Sequence, residues 1–255
     1  MSRTTIILAV IYFFIVEFVI FCYSPRAVKY FSGEYRLPEV NPRIVAENKV
    51  SPDYSGEEIV YDVKMGSMKI GTSTFRHEGR MQLDGKTMER VVFVTKVVQV
   101  NDTETIWADP ADFLPARVER DIMMWPKHEK IIEVYDQAGY TLDISKSNGQ
   151  EAVIRIIRKS PIHNAILLPY HVRRVEKLEP GWSMNVVLPT QEFKINLVGT
   201  EEVQVPAGTF KAYYFESEPK RFSIWISADE RRIPVKIKGS SGLNYTMLMR
   251  SYGKK

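Results

Sequence analysis

The sequence has a single cysteine, Cys22. An intramolecular disulfide and a cysteine-based metal cluster are therefore excluded. Histidine is scarce too, with His77, His128, His163 and His171 as the four. No HExxH occurs, and a zinc site would need three or four convergent ligands that these spacings do not supply. A Walker A loop, a GxGxxG fingerprint and a GxSxG elbow are all missing, which removes the common nucleotide-binding and hydrolase signatures. No cofactor, metal ligand or catalytic residue is assigned. Carboxylate pairs such as Asp109/Asp112 and Asp229/Glu230 fall in turn-like segments and read as turn formers. Strong charge of one sign is absent as well: 35 Lys and Arg stand against 31 Asp and Glu, for a net +4. A nucleic-acid binder concentrates its basic residues on one face or one helix, so nucleic acid is not expected as a partner.

The longest apolar run spans residues 6–23, IILAVIYFFIVEFVIFCY, with Glu17 as its one charge. At about 1.5 Å per residue, a helix of that length nearly crosses a hydrocarbon core of about 30 Å. Arg3 precedes it. Pro25 would follow a cut after Ser24, and Phe21 before Cys22 is too bulky for a lipobox. Residues 1–24 are therefore expected to be an uncleaved signal anchor, a transmembrane helix passing once through the inner (cytoplasmic) membrane. Arg26, Lys29, Arg36 and Arg43 follow the run. The positive-inside rule alone would keep what comes next in the cytoplasm; the resemblance below points to the periplasmic side. Residues 25–55 carry Pro25, Pro38, Pro42 and Pro52 and read as a linker.

From residue 56 to 255 the pattern changes to short β-branched and aromatic stretches separated by turn residues. Strands are expected at 59–64, 70–75, 88–100, 103–107, 114–124, 130–136, 140–145, 151–158, 183–188, 192–204, 211–218, 221–227, 233–238 and 244–251. Asn148-Gly149 marks a tight hairpin turn. Residues 163–168 and 170–178 have helical spacing, limited to short pieces by Pro161 and Pro169. The fold class is all-β and mainly antiparallel. About a dozen strands should form a curved sheet, a half-barrel or closed barrel.

Two segments echo each other. Ile106-Trp107-Ala108-Asp109 leads to Leu114-Pro115-Ala116-Arg117-Val118, and Ile224-Trp225-Ile226-Ser227 leads to Ile233-Pro234-Val235-Lys236-Ile237. Each is a strand with a Trp near its end, an acidic turn, and a Pro opening the next strand, where it loses no ladder donor. Ile122-Met123-Met124-Trp125-Pro126 stands out for another reason. Adaptable apolar side chains in a row before a proline suit a cavity mouth or a lipid contact. Met123, Met124 and Trp125, with Trp107 and Trp225, are the candidate ligand-binding residues.

These segments also carry a resemblance. With 56–63 (GEEIVYDV), Ile70-Gly71, Trp107, Leu114-Pro115, Pro180-Gly181, 205–210 (VPAGTF) and 224–235, the chain resembles the bacterial domain of unknown function 3108 family over about residues 56–253. The family is similar to exported, β-rich envelope proteins, some with sheets curved around an apolar cavity, and it brings no assigned catalytic residues. The resemblance implies export and a β fold; together with the apolar run, the expected curved sheet and the missing catalytic signatures, it points to a membrane-anchored envelope protein, non-enzymatic, binding an apolar or amphipathic ligand such as a lipid. An assembly module recruiting another envelope protein is the second reading, and a cell-envelope hydrolase the third.

Overall fold

The structure, a computed structural model, describes residues 53–147, 151–239 and 244–255. The anchor and most of the linker, at 1–52, lie outside the described residues, as does the Asn148-Gly149 turn. Among the described residues no helix is long and apolar enough to cross a membrane.

Among the described residues, alternating strands and turns build one antiparallel sheet of fourteen strands. The strands are β1 (Glu57–Met65), β2 (Met68–Leu83), β3 (Lys86–Val97), β4 (Val100–Ala108), β5 (Pro115–Met124), β6 (Lys127–Asp136), β7 (Thr141–Ser147) and β8 (Glu151–Ile157). Then follow β9 (Ser183–Val187), β10 (Glu192–Val205), β11 (Gly208–Glu218), β12 (Phe222–Ser227), β13 (Pro234–Gly239) and β14 (Tyr245–Lys254). The first and last strands pair at the centre, Tyr61 opposite Met249, and each half then meanders outward to β8 and β9. Those two strands end the sheet without pairing to each other. The sheet is curved and open, a half-barrel rather than a closed barrel.

What it curves around is its own connection. Residues 158–182 run from β8 to β9 through a 3₁₀ turn, Ala165–Leu167, and a short helix α1, Leu168–Arg173. Asn164 caps the turn by accepting from Ile166 N at 2.8 Å. Leu167 and Tyr170 pack with Tyr61, Phe75 and Ile106 from the β1–β5 half. Leu168 and Val172 pack with Phe193, Phe215 and Ile224 from the β9–β13 half. Each fully buried apolar side chain of this size contributes about 1.5–3 kcal/mol, so the helix joins the two apolar clusters. Pro169 was expected to separate two helical pieces; it sits in the first turn of α1, where a missing N–H leaves no gap in the ladder.

Most strand ends move by a few residues from the expected ranges, and two differences are larger. Residues 88–100 form no single strand, because Val98-Gln99 makes a two-residue turn between β3 and β4 with Val97 opposite Val100. Such turns need positive φ, and Val98 supplies it at 48° without the Gly or Asn that normally announces it. β2 continues past Phe75 to Leu83, carried by its pairing with β3.

The sheet's two ends differ. One is sealed where α1 finishes. Arg173 donates to both Glu57 oxygens, at 2.6 and 2.7 Å, and lies 4.2 Å from the Tyr54 ring centre. Arg174 donates to the Ala111 carbonyl at 2.7 Å and lies over Phe113. The other end carries the β1/β2, β3/β4 and β5/β6 turns side by side.

Candidate functional site

At the unsealed end, each of three neighbouring hairpins projects a large apolar side chain. Met68 closes β1/β2, Val98 turns β3/β4, and Met123 and Trp125 flank β5/β6. Their exposures are 52%, 51%, 45% and 78%. Elsewhere single exposed apolar residues such as Val134 and Val198 are unremarkable; here they are neighbours. The tips are tied together by Val98 N donating to the Ile70 carbonyl at 3.1 Å. Between them lies an open groove of about 530 Å³, lined by Ile70, Val98, Val100, Met123 and Trp125, with Lys96, Gln99 and Asn101. An apolar floor beside a few polar groups is the make-up of an amphipathic ligand site.

The sequence candidates separate. Met123 and Trp125 line the groove. Met124 points to the other side of β5, half-buried, as strand alternation requires. Trp107 lies on a different part of the sheet, with the Arg90 guanidinium 5.4 Å from its ring centre. Trp225 is buried on the far half, stacked on Tyr214 at 4.8 Å, with its indole N–H donated to Glu201 and Lys236 Nζ 4.1 Å above the ring. Met68 and Val98 were not singled out from the sequence. Met68 shows in the sequence only as an apolar residue beside Gly66-Ser67, and Val98 is hidden in the apolar run 88–100.

Behind the groove, the concave face carries a buried polar row. Register places Asp102 and Glu104 of β4 on the same face as Arg120 of β5 and Glu133 of β6. Arg120 Nε donates to both Asp102 oxygens at 3.0 Å and lies 3.5 Å from Glu104. Tyr135 donates its hydroxyl to Glu133. One guanidinium thus serves Asp102 and Glu104, with Glu133 close enough to add its field. Burial pushes the Glu104 carboxyl up to about 7; Arg120 opposes the rise, and Asp102 and Glu133 add to it. At the sealed end His77 Nε2 lies 3.4 Å from Glu89, and burial holds that imidazole below its ordinary pKa although Glu89 and Glu57 pull it up. Among the described residues no group of three or more His, Cys, Asp or Glu could hold a metal ion. His163 and His171 do approach, with ring centres 5.2 Å apart.

A family model described as protein of unknown function, DUF3108, matches residues 60–250. No curated protein matches the chain. Among solved structures, a beta-barrel-like protein of domain of unknown function DUF1849 from Brucella abortus is 7% identical, with a TM-score of 0.49 over 80% of this chain and 99% of that one. A protein with a YmcC-like fold from Bacteroides fragilis is 12% identical, with a TM-score of 0.31 over 81% of this chain and all of that one.

Proposed function

The chain belongs to the DUF3108 family, whose description assigns no activity, and from that premise we propose that it is a membrane-tethered envelope protein whose β domain binds an amphipathic ligand without transforming it. The observation that carries the reading is the groove: Trp125, Met123, Val98 and Ile70 offer an apolar wall, and Lys96, Gln99 and Asn101 offer donors at its side. A single acyl chain with an anionic or polar head fits that division. The tether rests on the apolar run 6–23, and the periplasmic side of the inner membrane rests on the family resemblance.

Native mass spectrometry of the full chain, incubated with lysophosphatidylglycerol and released from detergent, tests the ligand. One adduct is expected on the wild type and none on Met123→Ser/Trp125→Ser. No adduct on the wild type, or equal adducts on both, overturns the reading. Sidedness is tested separately with Ser67→Cys in a Cys22→Ser background. An impermeant maleimide should label it in spheroplasts without lysis; labelling only after lysis would place the domain in the cytoplasm.

The assembly reading has one observation in its favour. Among the described residues β8 is a free sheet edge, and it ends in Ile157, which is 69% exposed. Free edges recruit strands from partners. Cross-linking from Ile157→Cys in the envelope should then give one defined heterodimer, and labelling spread over many proteins would remove this reading.

A further inference from the structure

We infer that the three hairpin tips around Met68, Val98 and Trp125 form a docking surface for an anionic bilayer. The inference goes beyond ligand binding in the groove, sharing Trp125, Val98 and Lys96 with it but not depending on it.

Charge is the first argument. The three tip segments, 64–70, 96–101 and 123–128, hold Lys64, Lys69, Lys96, Lys127 and His128 and not one Asp or Glu. In a chain with 31 acidic residues against 35 basic ones, that segregation is local to these three tips. Lys69 is met by Asp62 at 2.7 Å and His128 by Asp121 at 2.7 Å, both from farther down the strands. Lys64, Lys96 and Lys127 pair with no carboxylate among the described residues. Lysines beside an anionic surface each strengthen binding about fivefold.

Side-chain type is the second. Among the described residues Trp125 is the most exposed large apolar side chain, at 78%, and it stands at a hairpin tip. Tryptophan prefers the headgroup level, where its ring is dry and its N–H wet. Met68 and Val98 flank it without polar competition, and lysine stems can lie along the interface with their heads in water. Val98 adds a third point. A β-branched residue at φ +48° is strained, and Asn or Gly would relieve it. The tip keeps an exposed valine at a cost to stability.

Position is the fourth. These tips lie at the end away from the Arg173–Glu57 seal. The described chain enters at the sealed end, where Lys255 N donates to the Gly56 carbonyl. A chain as long as residues 24–52 can reach up to about 90 Å, more than the height of about 53 Å of the sixteen-residue strand β2. An anchor attached to the sealed end is therefore no obstacle to the opposite end meeting the same bilayer.

The test uses the full chain with Cys22→Ser, reconstituted in vesicles, with an environment-sensitive fluorophore on Ser67→Cys at a tip or on Lys86→Cys at the sealed end. With 30% phosphatidylglycerol in phosphatidylcholine, about as anionic as a biological leaflet, the tip label should shift to the blue and be quenched by lipid-borne spin labels, reversibly with salt. The Lys86→Cys label should not respond. Lys64→Gln/Lys127→Gln, which leaves every groove-lining residue in place, should weaken the response about 25-fold while keeping the lysophosphatidylglycerol adduct. The inference is overturned by no shift, by an equal shift in pure phosphatidylcholine, by an equal shift at position 86, or by a shift that needs an added envelope protein. Loss of the adduct with the shift intact would instead overturn only the groove reading.

Discussion

Arg173 ends α1 and Arg174 caps it, yet they bond to two different turns of the sheet. Arg173 donates to the Arg231 carbonyl at 3.1 Å, in the β12/β13 turn. Arg174 donates to the Ala111 carbonyl at 2.7 Å, in the β4/β5 turn. Those turns belong to the two echoed hairpins. Consecutive helical residues diverge by about 100° around the helix axis, so one short helix can clamp both turns and close that end.

Arg173 also neutralises Glu57, with both groups almost wholly buried. Burial opposes the Arg173 charge, but the Glu57 hydrogen bonds and field outweigh it and its pKa rises. Removing one partner strands the other. Arg173→Met should cost about 3–5 kcal/mol in chemical denaturation, and Arg173→Met/Glu57→Leu should recover most of it. Arg174→Met, which loses only hydrogen bonds to carbonyls, should cost about 1–3 kcal/mol. Equal losses for the two single variants would show that the ion pair is not what holds the seal.

The echo that led to these turns was legible because it is written in residues with fixed backbone demands. Pro115 and Pro234 open their strands, and register shifts fall directly after Trp107 and after Trp225. Phe113 and Arg232, two residues before each proline, both take positive φ. The antiparallel class and the approximate strand count were legible from β-branched and aromatic stretches separated by turn residues. Two features were not. Val98 turns the chain without a turn residue, so composition pointed to an unbroken strand. The Asp102–Glu104–Arg120–Glu133 row reads in sequence as the wet face of its strands, and only pairing reveals that it faces inward. At the groove, Met123 and Trp125 stood out by their position before Pro126, whereas Trp107 and Trp225 were chosen by residue type.

Glu104 gives that inward row a pH signature. Its carboxyl is raised from about 4.5 to about 7, chiefly by burial. Below about pH 4.5 it is protonated in both folded and unfolded chains and has no effect. As pH rises, the unfolded chain releases the proton while the folded one keeps it, so stability falls until about pH 7. Glu104→Gln removes this dependence. It should match the wild type near pH 4 and exceed it by up to about 3 kcal/mol at pH 8. A variant no more stable at pH 8 would mean that Arg120 already compensates the charge.

Val98 offers a trade between stability and surface. A valine in the left-handed region costs on the order of 1 kcal/mol, which asparagine tolerates far better. Val98→Asn should therefore raise the thermal midpoint by a few degrees, while removing one apolar contact from the vesicle-binding surface. A lower midpoint would show that the half-exposed isopropyl group packs more than it strains.

The two tryptophans of greatest contrast separate architecture from binding. Trp225 is 6% exposed, stacked on Tyr214, hydrogen-bonded to Glu201 and capped by Lys236. Its removal opens a cavity, so Trp225→Ala should cost about 3–5 kcal/mol. Trp125 packs against little, and Trp125→Ser should leave the denaturation midpoint within about 0.5 kcal/mol of wild type. The binding readouts should invert that order. Trp125→Ser should lose the lysophosphatidylglycerol adduct, and Trp225→Ala, held below its own unfolding temperature, should keep it. If Trp225→Ala lost the adduct while folded, the ligand would sit on the β11–β13 half and the groove would be empty of function. If Trp125→Ser unfolded the domain, the exposed ring would be a structural support and not a contact surface.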